Sequence, residues 1–178
     1  DLVAHHLGGY PEIVELSALA KGRPEFALRT PRDPEPSVAV RFSGDVVLAG
    51  DDRVAIPGFG RSNADLFLAN LEGVPSLKEP EQKPRYDFRF PPERLAWLKE
   101  QGVDAVSLAN NHAGDAGREG LVDAMAALRS QGIGICGAGH DAANACKPWR
   151  VEKHGVRLAV FGISIVDALA ATDDQPGV

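Results

Sequence analysis

Apolar residues in this chain fall in short runs, and their spacing switches between two and about 3.6 residues. Val38, Val40 and Phe42 alternate with Ala39, Arg41 and Ser43, which is a strand period, and the run ends at Gly44-Asp45. Val46 to Ala49 prolongs it before a polar, glycine-containing loop over residues 50–62. Residues 65–72, Asp-Leu-Phe-Leu-Ala-Asn-Leu-Glu, predict a second strand that again ends in a carboxylate. A third, residues 104–110, is apolar from Ala105 to Ala109 and stops at Asn110, Asn111 and His112. Pro91-Pro92 opens a predicted helix that runs to Gln101 and closes at Gly102, with Leu95 and Leu98 turned inward. Residues 117–131 predict another helix, with Leu121, Met125 and Leu128 on one face and Gly132 as its stop. Residues 133–136 form the next short strand, and residues 149–153 and 156–165 flank His154-Gly155 as a hairpin. Residues 76–89 are charged and proline-broken, a long excursion of the kind that more often carries function. Residues 167–178 read as a polar tail.

Strands alternating with helices predict an α/β layered domain over residues 38–178, its sheet mostly parallel with an antiparallel part from the hairpin. Residues 1–37 predict a separate helical N-terminal arm, with Ile13, Val14, Leu16 and Leu19 on one face, followed by a Pro-rich linker from Thr30 to Pro36. A length of 178 residues suits one sizeable core plus such an appendage. The net charge of −6 argues against a nucleic-acid footprint, which is usually basic. Two cysteines, Cys136 and Cys146, imply no disulfide framework. No apolar run approaches the roughly 18 residues of a membrane span. The chain starts at Asp1 without a signal-peptide pattern, and the compartment stays open.

Asp45, Glu72 and Asn111-His112 each follow an apolar strand at its carboxyl end. If those strands are parallel neighbours, all of these groups reach one edge of the sheet, where open α/β sheets bind ligands. Hard divalent cations take oxygen ligands and borderline ones accept imidazole, so two carboxylates and an amide oxygen suit part of a one- or two-metal centre. Such a centre can generate hydroxide and clamp a phosphoryl oxygen, and His112 can protonate a leaving group. Taken singly, each feature has a plainer reading: Gly44-Asp45 as a turn, Glu72 as a solvated charge, Asn110-Asn111 as turn formers. Three matching strand ends outweigh those readings. Gly132 to Gly137 formally matches G-x-G-x-x-G, but a helix precedes it and a strand occupies it, opposite to a dinucleotide fingerprint. His5-His6, His140 and His154 read as solvated, Arg85, Arg89 and Arg94 as mixed surface charge, and Trp97 and Trp149 as packing residues.

Six segments stand out in order: residues 42–48 (Phe-Ser-Gly-Asp-Val-Val-Leu), 64–73 (Ala-Asp-Leu-Phe-Leu-Ala-Asn-Leu-Glu-Gly), 88–92 (Phe-Arg-Phe-Pro-Pro), 106–112 (Val-Ser-Leu-Ala-Asn-Asn-His), Asp115-Ala-Gly117 and Gly137-Ala-Gly139. In sequence, order and spacing they resemble the CapA/PgsA family of capsule and poly-γ-glutamate biosynthesis proteins, within the calcineurin-like metallophosphoesterase superfamily. The resemblance implies an αββα metallophosphoesterase-like sandwich with mixed sheets, of which this chain holds the N-terminal portion. It implies a divalent metal centre, dinuclear and of Mn, Fe or Zn, with Asp45, Glu72 and Asn111 as ligands. His112 would be the acid beside the phosphate, and Asn70, Asn110 and Asp115 would orient these groups. Metal-bound hydroxide would then attack a phosphoester, and the substrate would be an anionic phosphoester or a polyglutamate-type polymer. Alternatives are a non-catalytic accessory or scaffold for synthesis or export of that polymer, or γ-glutamyl or peptide transfer or ligation. The first motif reads Asp45-Val46-Val47 where much of the superfamily has Asp-x-His. The family's later motifs, including a Gly-His-x-His segment, would lie beyond Val178, so a second chain or a C-terminal segment is expected to complete the site.

Overall fold

Four strands run parallel in the order β1-β2-β3-β4: β1 (Val40–Val46), β2 (Leu66–Leu71), β3 (Ala105–Ser107) and β4 (Gly134–Cys136). The structure is a computed structural model that describes residues 36–50, 58–80, 84–166 and 169–178. Of the helical arm and linker expected over residues 1–37, residues 1–35 lie outside the described residues. A 3-10 turn (Pro92–Arg94) leads into α1 (Leu95–Glu100), and α2 (Gly117–Ser130) connects β3 to β4. A short α3 (Ala142–Ala145) follows, capped by Asp141, which accepts a hydrogen bond from the Asn144 amide at 2.7 Å. The antiparallel hairpin of β5 (Trp149–Lys153) and β6 (Val156–Val160) completes the elements.

The period-two pattern of β2 decides what lies on each side of the sheet. Phe67, Ala69 and Leu71 point to one face, where they pack with Leu95 and Leu98 of α1 and Leu121, Met125 and Leu128 of α2. Leu66 and Leu68 point to the other, with Ala105, against Trp149, Val151, Leu158 and Val160 of the hairpin. The result is a helix layer, a parallel sheet and a second sheet, the α/β class read from the sequence. Burial of β2 on both faces is the usual condition of a parallel strand. Each fully buried side chain of this size is worth about 1.5–3 kcal/mol. Trp97 stacks on Phe59 with ring centroids 5.0 Å apart, and both pack against the helix-side core.

The hairpin turn has positive φ at both central residues, 50° at His154 and 77° at Gly155, as a two-residue type I′ turn requires. His154 is not merely solvated, as its loop position had suggested. Its Nε2 lies 2.8 Å from Asp65 Oδ1, and the other oxygen of Asp65 accepts the Ala39 amide hydrogen at 2.9 Å. One carboxylate therefore ties the start of β2 to the approach of β1 and to the hairpin turn. At Gly134, β4 passes so close to Trp149 that a Cβ would collide with the indole nitrogen. The glycines of the false dinucleotide pattern thus serve packing.

Two expectations change. The strand expected to continue to residue 165 stops at Val160, because Val160 pairs with Trp149, the first residue of β5, and nothing of β5 remains beyond it. The side chains that follow alternate in exposure, with Phe161 and Ile163 outward. The polar tail is not loose: Gly177 bridges Gly139, Val178 donates its amide hydrogen to Leu169 O at 2.9 Å, and both Leu169 and Val178 pack against the helix-side core.

Replacing Gly134 with Ala forces the Trp149 indole away. Overpacking of this kind costs about 1–3 kcal/mol, which thermal denaturation will register together with a changed Trp149 fluorescence. An unchanged midpoint would show that the hairpin does not depend on this contact. Asp65 supplies a second test. The Ala39 amide first, then His154, hold its carboxyl below the usual carboxylate range. A lowered folded value means stabilisation that is present above the unfolded pKa of about 3.9 and lost as pH falls through the folded value. Melting midpoints followed down the acid range should fall less steeply in Asp65→Asn than in the wild type.

Candidate active site at the carboxyl edge of the sheet

Parallel pairing of β1, β2 and β3 delivers their carboxyl ends to one edge, and the residues singled out above meet there. A register shift between Ser43 and Asp45 interrupts the pairing of β1 with β2 at Gly44, and Asp45 then lies opposite Asn70. Bulges of this kind re-aim a side chain beside a site. Asn70 donates from Nδ2 to Asp45 Oδ1 at 2.6 Å. Asn110, 5% exposed, donates from Nδ2 to Asn70 Oδ1 at 3.1 Å and to Leu71 O at 2.9 Å. Its own Oδ1 accepts the His112 amide hydrogen at 3.0 Å. A hydrogen-bond relay therefore crosses all three strand ends, from Asp45 through Asn70 and Asn110 to the backbone of His112.

His112 is buried, and its Nδ1 lies 3.0 Å from Asp115 Oδ2. The same oxygen accepts the Phe88 amide hydrogen at 2.7 Å. An ionised carboxylate only accepts, so the Asp115 pairing calls for a proton on Nδ1 and leaves Nε2 as the nitrogen open to other partners. Nε2 faces Glu72, at 3.9 Å from Oε1. Burial first, and then the neighbouring Asp45 carboxylate, push the Glu72 carboxyl above its usual range, while His112 opposes that shift. Asp45 and Glu72 therefore stand as neighbouring carboxylates, each making the other's negative charge costlier. Asn111 is exposed and takes no part in the relay among the described residues.

Two neighbouring carboxylates are the donor chemistry that a hard divalent cation uses. The fit is partial. Among the described residues, no group of three or more His, Cys, Asp or Glu is arranged to hold a metal ion. Asp45 and Glu72 can supply two ligands, and the remainder of a coordination sphere needs donors of another kind or origin.

The sequence reading overlooked Phe88 as a site residue, although it stood within the excursion marked as functional. Its ring stacks on the His112 imidazole, centroids 4.1 Å apart and planes inclined by 27°. The signal available was the Phe-Arg-Phe-Pro-Pro segment itself, whose role is invisible until the chain folds back. Gly73 makes that return possible: its φ is +132°, and a Cβ there would collide with the Phe88 carbonyl.

The sequence profile described as bacterial capsule synthesis protein PGA_cap matches residues 60–177. A probable polyglutamine synthesis accessory protein of Mycobacterium tuberculosis is 30% identical over 171 residues, covering 88% of this chain and 45% of its own length. The PGA biosynthesis protein CapA of Bacillus subtilis is 34% identical over 89 residues, 48% of this chain and 23% of that one. The capsule biosynthesis protein CapA of Bacillus anthracis is 28% identical over 121 residues, 65% of this chain and 29% of that one. The chain thus spans less than half the length of these relatives.

Asn110 is the residue whose loss the site should feel most. Asn110→Ala leaves the Leu71 carbonyl and the His112 amide without their partner, at about 1–3 kcal/mol for a buried polar group left unpaired. Denaturant unfolding will measure that loss. Asn111→Ala, by contrast, should change stability by no more than about 0.5 kcal/mol; equal losses from both would contradict the relay.

Proposed function

The chain belongs to the bacterial capsule synthesis protein family PGA_cap, and from that membership we propose that it works in the synthesis of capsule or poly-glutamate polymer through a phosphoesterase-like site at this sheet edge. The observation that carries the reading is the Glu72 carboxylate, with Asp45 beside it, facing the one nitrogen of His112 that Asp115 leaves open. In this reading Asp45 and Glu72 bind a divalent cation together with donors from elsewhere in a longer protein or from a partner. When bound, such an ion activates water and polarises a phosphoryl oxygen. Asn70 and Asn110 hold Asp45 in place. Asp115 fixes the imidazole edge, so that Nε2 carries the proton to or from the leaving oxygen of a phosphoester.

A second reading has its own support. The Mycobacterium tuberculosis relative is named an accessory protein, and no three-residue metal group occurs among the described residues. The chain would then serve polymer synthesis without catalysing a step.

Metal binding separates the two. Titration with Mn²⁺ by calorimetry should show an ion whose affinity weakens in Asp45→Asn and Glu72→Gln. Because the Glu72 carboxyl is held above its usual range, affinity should weaken as pH falls toward that range, with proton release on binding growing as it does. In a phosphodiester assay, His112→Ala should keep that binding and lose about 10²–10⁴-fold in turnover. A folded chain that binds no Mn²⁺ at neutral pH would leave the accessory role as the reading to pursue.

A further inference from the structure

Phe88 is held by contacts that do not involve its ring. Its amide hydrogen goes to Asp115 Oδ2 at 2.7 Å, and its carbonyl accepts the Val74 amide hydrogen at 3.2 Å. On either side, the Asp87 carboxylate engages the Arg89 guanidinium at 2.7 Å, and Phe90 is fully buried with its amide hydrogen on Val74 O at 3.1 Å. The backbone would sit here with any side chain at position 88. A benzyl group at that position nonetheless lies on the imidazole face, 4.1 Å from its centroid.

Two constraints on His112 follow. Asp115 grips one edge of the ring through Nδ1, which still allows the ring to swing about that hydrogen bond. The Phe88 face removes the swing and covers one side of the imidazole. Because Asp115 Oδ2 accepts from both Phe88 and His112, the position of the aromatic ring and the grip on Nδ1 are set by the same atom.

We propose that Phe88 is a positioning residue: its ring fixes the plane of the His112 imidazole and thereby the direction in which Nε2 meets a ligand. The importance of that direction rests on the function proposed above, but the fixing itself is a property of the folded chain and is read without a metal or a substrate.

The experiment is nuclear magnetic resonance on the full chain with ¹⁵N- and ¹³C-labelled histidine, the His112 signals being identified by their loss in His112→Gln. In the wild type, His112 is expected as a single tautomer protonated on Nδ1. One χ1 rotamer should appear in the three-bond couplings, with ring-carbon protons displaced upfield by the aromatic current. Phe88→Tyr should keep all three features. Phe88→Leu should lose the upfield displacement and, decisively, show averaged couplings while Asp115 keeps the tautomer. Phe88→Met, unbranched and free of the ring, gives the same reading if the leucine variant does not fold. A single rotamer in the ring-free variants would overturn the proposal. So would a wild type in which His112 lacks the upfield displacement or already averages between rotamers. Absence of metal binding or turnover would refute the phosphoesterase reading and leave these signals as they are.

Discussion

The buried amide of Asn110 is the interaction on which the sheet edge depends. A primary amide has two donors and an acceptor oxygen with a fixed angle between them, and each group is used: the donors toward Leu71 O and Asn70 Oδ1, the oxygen from the His112 amide. Strand ends are where a sheet normally loses order, because the ladder stops and the chain turns away. Here the side chain of one residue after β3 continues the cross-strand bonding to β2, and Asn70 passes it on to Asp45 at the end of β1. An apolar residue of similar volume at position 110 would pack but would leave those three strand ends free to drift apart. Positions that set a site are best built on such rigid supports.

The sheet contributes in a second way, by separating packing from chemistry. The apolar side chains on the two faces of β2 are committed to the helix layer or to the hairpin, and none of them is available for ligands. Only groups beyond the ends of the apolar runs remain free to do chemistry. That is why the polar residues closing each run stood out in the sequence, and why the carboxyl edge gathers them.

Much of this was legible beforehand. Alternation marked β1 and β2, the 3.6-residue spacing of Leu121, Met125 and Leu128 marked α2, and His154-Gly155 marked the hairpin. The parallel order that brings Asp45, Glu72 and His112 together was an inference from class, since periodicity within a strand says nothing about its neighbours. Three features had no local signal. The register shift at Gly44 depends on the partner strand. The pairing of His154 with Asp65 joins residues 89 apart in sequence. Phe88 reaches His112 only because the excursion folds back over a glycine. Each arises from long-range contact, which a pattern of neighbours along the chain does not contain. Asn111 illustrates the converse: the sequence offered two adjacent asparagines, and folding buries Asn110 while leaving Asn111 exposed.

Asp65 stands just before β2 and Glu72 just after it, and their carboxyls are displaced in opposite senses, the first downward by donors around it and the second upward by burial and a neighbouring carboxylate. Seven residues of extended chain separate them by about 23 Å, more than twice the Debye length of about 8–10 Å at ordinary ionic strength. At that separation neither group sets the protonation of the other. Acidification protonates Glu72 while Asp65 is still charged, so an interval of pH exists in which the chemistry at one edge has changed and the anchor at the other has not.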